Sequence, residues 1–134
     1  HTAQMVEKVG REREHHPGIV NPVLDSIGAV TAEALRGFHD LRVLGTLMNM
    51  NHALLDALGV GHPALTRLVL AARSAGALGA KTTGAGGGGC MIALAPNRAR
   101  GRVAGAIRSC DAQAFMTTLD MEGVRREKDV ESRP

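Results

Sequence analysis

Residues 81–90 read KTTGAGGGGC, which places Gly84 and then Gly86–Gly89 in a six-residue stretch broken only by Ala85. Glycine loses more freedom on folding than any other residue, about 0.5–1 kcal/mol relative to alanine inside a regular element. Such a run is either free linker or a loop whose backbone must pass where no side chain fits. ALGAKTT (77–83) before it and CMIALA (90–95) after it, ended by Pro96, both read as strands, and a segment bracketed so closely is not a linker. Gly84, Gly86 and Gly89 match the G-x-G-x-x-G spacing of dinucleotide sites, but that chemistry needs a helix directly after the glycines, and a strand follows here. The Walker pattern fails as well, because Cys90 stands where a lysine must reach the phosphates. Two readings stay open. The bare N–H groups form a cradle for an anion or admit another phosphate-binding segment, or the loop is a sharp crossing where strands need room.

Other reactive side chains are weaker candidates. His15 and His16 beside Pro17 have no second cluster at metal-ligand spacing and read as a solvated helix end. Cys90 lacks a paired base and reads as a small buried hydrophobe rather than a nucleophile. His52 and His62 read as capping or surface residues before substrate contacts, Asn49 and Asn51 as surface or capping, Met48 as core, and Asp120 as turn chemistry.

The elements that must hold the loop are legible from punctuation and periodicity. Thr2–His15 fits a helix with Met5, Val6 and Val9 on one side, broken by Pro17 and Gly18. Asn21–Pro22 reads as N-cap and first helical residue of the next, with Val23, Ile27, Val30 and Ala34 at helical spacing towards Phe38. Asp40 caps a third helix carrying Leu44, Leu47, Met48, Leu54, Leu55 and Leu58, which Gly59 stops. His62–Pro63 opens a fourth, with Leu65, Leu68, Val69 and Ala72, closed at Gly76. Beyond the two strands, 97–109 reads as a helix with Val103, Ala106 and Ile107 inward, QAFMTTLD (113–120) as a third strand and GVRRE (123–127) as a short fourth. Helices first, then a small sheet, implies an α+β sandwich.

Composition bounds the class. The 134 residues suffice for one domain with a core, and 44% hydrophobic with 22% charged residues is ordinary for a soluble protein. No apolar run approaches the ~18 residues of a membrane span, so no membrane association is expected. The net charge of +3 invites a nucleic-acid reading, yet the basic residues are scattered, Trp and Tyr are absent and only two Phe are present, so the aromatic platforms of single-strand readers are missing. Cys90 and Cys110 suggest reduced thiols and a cytoplasmic protein. A start at His1 rather than Met suggests a fragment or processed product, and RREKDVESRP a frayed polar tail.

KTTGAGGGGCMIALAP (81–96) resembles the third conserved motif of the GHMP kinases, in the form with four glycines and a cysteine carried by the mevalonate kinases among them. LMNMNHALLDALGVGHPALTRLV (47–69) is similar to the helix pair before that motif, HTAQMV (1–6) to the family's Ser/Asn-Thr-basic-x-x-Val segment, and FMTTLDMEGVR (115–125) to its closing strands. The resemblance implies that residues 1–127 form a GHMP kinase C-terminal domain, a ferredoxin-like antiparallel sheet with several packed helices, followed by a polar tail at 128–134. It implies ATP-dependent phosphorylation of mevalonate in isoprenoid biosynthesis, with ATP, Mg2+ and mevalonate as ligands, and it allows a homodimer. It places Gly84, Ala85, Gly86, Gly87, Gly88 and Gly89 in the nucleotide and substrate cleft, Thr2 near the reacting groups and Lys81 at the start of the motif. His1, Ala3 and Thr82 depart from the family's usual residues. The family's catalytic aspartate, its lysine partner and its main phosphate loop belong to an N-terminal domain that this sequence does not contain, so this chain holds no catalytic residue or metal ligand of its own and the isolated fragment is expected to be inactive and poorly soluble. The alternative from another class is a non-catalytic anion- or nucleotide-binding module of the same frame. Within the family the alternative is a phosphomevalonate or homoserine kinase.

Overall fold

The structure is a computed structural model that describes residues 2–118. Its elements run α1 (Thr2–His15), α2 (Pro17–Arg36), α3 (Leu41–Ala57), α4 (Pro63–Ser74), β1 (Gly79–Thr83), β2 (Cys90–Leu94), a 3₁₀ turn (Asn97–Ala99) and α5 (Arg100–Arg108). The α+β class expected from sequence holds. Among the described residues the sheet is a single antiparallel hairpin, with Gly79 opposite Leu94, Lys81 opposite Ile92 and Thr83 opposite Cys90.

Local chemistry explains most boundaries. Asp40 Oδ1 accepts from the N–H groups of Arg42 (2.8 Å) and Val43 (3.2 Å) and so caps α3. His62 Nδ1 accepts from Ala64 N–H at 3.2 Å, and Pro63 opens α4 with its fixed φ. Gly59 (φ +70°) and Gly76 (φ +102°) take the left-handed turns that end α3 and α4.

Three expectations are corrected. The second helix starts at Pro17, and Pro22 lies inside it. Pro17 already supplies the preorganised first position, Pro22 forfeits only the bond to Gly18, and the Asn21 side chain accepts from Arg13 Nε at 2.7 Å instead of capping. Gln113–Thr118 forms no strand; it leaves the left-handed Asp111 (φ +59°) and is tied to α5 by Arg108, which donates to the Ala114 carbonyl at 2.8 Å. Among the described residues, β-propensity there has no ladder partner to act on. Residues 119–120 of that expected strand, and the expected strand at 123–127, lie outside the described residues. On α1, Val6 is 67% exposed, while Met5 and Val9 pack inward.

The apolar residues divide into two clusters. One joins α4 to the sheet and α5: Val69, Ala72, Ala80, Val103 and Ile107, with Met91 and Ala93 against them. The other joins α1 and α2 to the end of α3: Val20, Leu58 and Val60, with Met5, Val9, Val23 and Ile27. Alternation along β1 buries Ala80 and Thr82 towards the helices and turns Lys81 and Thr83 to the opposite face. Between β1 and β2, at the meeting of the two clusters, runs the glycine loop.

Candidate functional site

The loop's conformation requires glycine at five positions: Gly84 (φ +85°), Gly86 (+85°), Gly87 (+70°), Gly88 (+137°) and Gly89 (+93°) all lie where side-chain-bearing residues are strained. Its crest rests on the turn after α3. Gly87 N–H donates to the Val60 carbonyl at 2.9 Å. A Cβ on Gly86 would stand 2.2 Å from that same oxygen, and one on Gly87 would meet Met5 Sδ at 3.1 Å. Around Gly84, Gly88 and Gly89 the space is open to 4 Å. Among the described residues, the N–H groups of Gly84, Ala85, Gly86, Gly88 and Gly89 have no acceptor. The loop is therefore seated on Val60 and Met5 at Gly86 and Gly87 and has room around Gly84, Gly88 and Gly89, and backbone N–H groups without a protein acceptor are what an anion can use.

α1 is brought to the same place. Met5 touches the crest, and Lys8 Nζ donates to the Gly59 carbonyl at 2.5 Å, pinning the helix to the turn that carries the loop. Thr2 stands one turn before Met5, exposed at the start of α1 and on the same helix face. Met5 thus brings this end of α1 against the loop.

Lys81 is placed differently. It is half-buried on the outer face of β1, and its ammonium donates to the Thr82 carbonyl at 2.8 Å. Burial lowers its pKa from the ordinary lysine value of 10.5. Its present contact is with its own strand.

The remaining sequence candidates sort plainly. His15 and His16 are exposed, and among the described residues no cluster of His, Cys, Asp and Glu could hold a metal ion. Cys90 is exposed, against the expectation of a buried hydrophobe, because it falls on the outer face of β2 opposite exposed Thr83. His62 caps α4 as expected. His52 is neither cap nor surface: it is 5% exposed, neither ring nitrogen has a hydrogen bond, and Nε2 lies 3.6 Å from Asp56 Oδ2. Sequence reasoning missed the seat made by Val60, Met5 and Lys8. It also missed Asn49, whose side chain bonds the backbone of β1 rather than solvent; Gly45 four residues earlier was the available signal for a close helix contact. A cavity of about 600 Å³ between β2, α5 and residues 112–117 is mostly apolar, lined by Met91, Val103, Ile107 and Phe115, and it touches the loop only at Gly89.

Residues 31–112 match the family model for the C-terminal region of GHMP kinases. The chain is 47% identical over 133 residues to a mevalonate kinase of Thermococcus sibiricus, covering 94% of this chain and 40% of that protein. Its fold superposes on the crystal structure of L. major mevalonate kinase in complex with R-mevalonate with a TM-score of 0.78 and 31% identity, over 81% of this chain and 34% of that one. The Methanococcus jannaschii mevalonate kinase gives 0.71 and 33% over 81% and 32%. The chain therefore spans about 40% of the length of such curated relatives.

Proposed function

This chain belongs to the GHMP kinase family, and from that premise we propose that it is the C-terminal part of a mevalonate kinase, an enzyme that moves the γ-phosphoryl group of ATP to the primary hydroxyl of mevalonate. In this reading residues 1–127 are the C-terminal domain and 128–134 a polar tail. The observation that carries it is the glycine loop, seated on Val60 at Gly86 and Gly87, open around Gly84, Gly88 and Gly89, and carrying five backbone N–H groups with no acceptor among the described residues.

Phosphoryl transfer is largely a matter of positioning and of stabilising charge on the transferred group. The amides of Gly84, Ala85, Gly86, Gly88 and Gly89 line the cleft and donate to phosphate oxygens. The open space at Gly84, Gly88 and Gly89 lets the nucleotide, the substrate and the phosphate loop of the N-terminal domain approach the backbone. Thr2, one turn before the Met5 that meets Gly87, donates its hydroxyl to a phosphate oxygen. Lys81 supports the strand that leads into the loop. The general base and the principal phosphate loop belong to the N-terminal domain, so the isolated chain is inactive. Mg2+ would supply charge neutralisation on the phosphates, held mainly by acidic groups of that other domain. The working compartment is the cytoplasm.

The test is ADP release by the full-length protein with ATP and mevalonate. Turnover should require mevalonate, and Gly87→Val should lower kcat/KM by about a hundredfold, the order of effect expected from a 1 Å misplacement, with an unchanged circular dichroism spectrum. Preference for phosphomevalonate or homoserine would move the assignment within the family. Nucleotide binding without turnover of any alcohol would favour a non-catalytic module.

A further inference from the structure

β1 is the strand that delivers the chain into the glycine loop, and its two edges are held by different means. On one edge β2 supplies the ladder, extended by Leu78 N–H donating to the Leu94 carbonyl at 2.8 Å. On the other edge no strand lies among the described residues; α3 takes its place. Asn49 Nδ2 donates to the Leu78 carbonyl at 3.2 Å, and Asn49 Oδ1 accepts from Ala80 N–H at 3.1 Å. A side-chain amide carries the same donor and acceptor as a peptide group, so this one residue does what a neighbouring strand would do.

The approach that makes this possible is enforced one turn earlier. Gly45 and Gly79 face each other with no space for a Cβ on either: one on Gly45 would stand 2.6 Å from the Leu78 carbonyl, one on Gly79 2.2 Å from the Gly45 carbonyl. Gly45 and Asn49, four residues apart, share a helix face. The contact brings the helix close, and the amide fixes the strand's position along it.

The same helix also governs the far side of the loop. Leu58 caps the C-terminus of α3, and Val60, two residues on, accepts from Gly87. α3 therefore grips the chain before the loop, through Asn49, and beneath its crest, through the turn it ends in. We propose that Asn49 is a positioning residue for the glycine loop: its amide sets the register of β1 against α3, and through that register the distance between the loop's free amides and the Val60 seat. Asn49 touches no substrate, and its effect on turnover rests on the kinase reading above.

The test compares Asn49→Ala, which removes both bonds, with Asn49→Asp, which keeps an acceptor for Ala80 N–H, in the full-length protein. Steady-state kinetics with ATP and mevalonate are measured beside amide hydrogen exchange without ligands. For Asn49→Ala the expected result is a kcat at least tenfold lower with KM values changed less than threefold, and faster exchange at both Ala80 and Gly87 while the α5 amides keep their protection. Asn49→Asp should fall between this variant and the wild type in both measurements. If Asn49→Ala does not fold, Asn49→Ser takes its place against Asn49→Asp, and the same ordering is required. Unchanged Gly87 exchange, or a kcat within twofold of wild type despite faster Ala80 exchange, would overturn the proposal. A wild-type protein with no activity on mevalonate would count against the kinase reading alone, because the exchange at Gly87 reports loop geometry without substrate.

Discussion

Glycine is used in two regions of this molecule for opposite reasons. At the α3–β1 contact, Gly45 and Gly79 are glycine because each would drive a Cβ into backbone, although neither has a positive φ. At Gly84, Gly88 and Gly89 the surrounding space is open, and the left-handed backbone alone excludes other residues. Gly86 belongs to both groups, with φ +85° and a Cβ position 2.2 Å from the Val60 carbonyl. The first region uses glycine to remove space between elements, and the second uses it to leave space for something else. Substitution at the contact should therefore be read chiefly in stability, and substitution in the open loop chiefly in function.

The largest effect expected from this contrast is at the contact. Gly79→Ala should lower unfolding free energy by about 3 kcal/mol, the upper range for overpacking, because backbone rather than a flexible side-chain tip stands in the way. Urea denaturation measures it, and a loss under 0.5 kcal/mol would erase the distinction between the regions. Within the loop, Gly86→Ala should cost about 2 kcal/mol or more and Gly88→Ala about 1 kcal/mol, the latter from backbone strain alone. Both should depress kcat/KM, and Gly88→Ala should show the greater loss of activity per unit of stability lost. Equal ratios would mean that the open side of the loop faces no ligand.

Asp40→Ala acts away from both regions and calibrates them. It removes the cap of α3 and should cost about 1 kcal/mol, with turnover unaffected beyond the change in folded fraction. The smallest effect is at Lys81. Burial holds its folded-state pKa below 10.5, so at alkaline pH the folded chain releases this proton before the unfolded chain does. The unfolded state binds more protons between the folded value and 10.5, and stability contributed by this group rises with pH across that window. Lys81→Met should remove this contribution, seen as a wild-type-minus-variant difference in denaturation midpoint that increases with pH across that window. A difference that decreases with pH would reverse the assigned cause.

What the sequence disclosed follows the range of the interactions involved. α4 was legible at both ends because His62, Pro63 and Gly76 act on their immediate neighbours. Asp40 was legible for the same reason. Pro22 misled because a local signal of equal strength, Pro17, lay five residues upstream and took the helix start. The glycines announced an unusual backbone, but Val60 and Met5, which shape it, are remote in sequence and chemically unremarkable. His52 and Asn49 were misplaced because a polar residue on a helix reads as solvated until the neighbour that covers it is known. Gln113–Thr118 carried strand-like composition, and composition alone supplies no partner strand.

The seat beneath the crest also determines whether the loop is transplantable. KTTGAGGGGC appears self-contained as a motif, yet the permissiveness that lets it adopt five positive-φ positions gives it no preference for them over countless others. Excised as a peptide, or spliced into another hairpin, it would behave as a flexible tether and recognise nothing. Its shape is stored in the Val60 carbonyl, in Met5, and in the Lys8 grip on Gly59. Anyone grafting this loop must carry over the turn at 59–61 and the first helix with it; the portable unit is a corner of the domain.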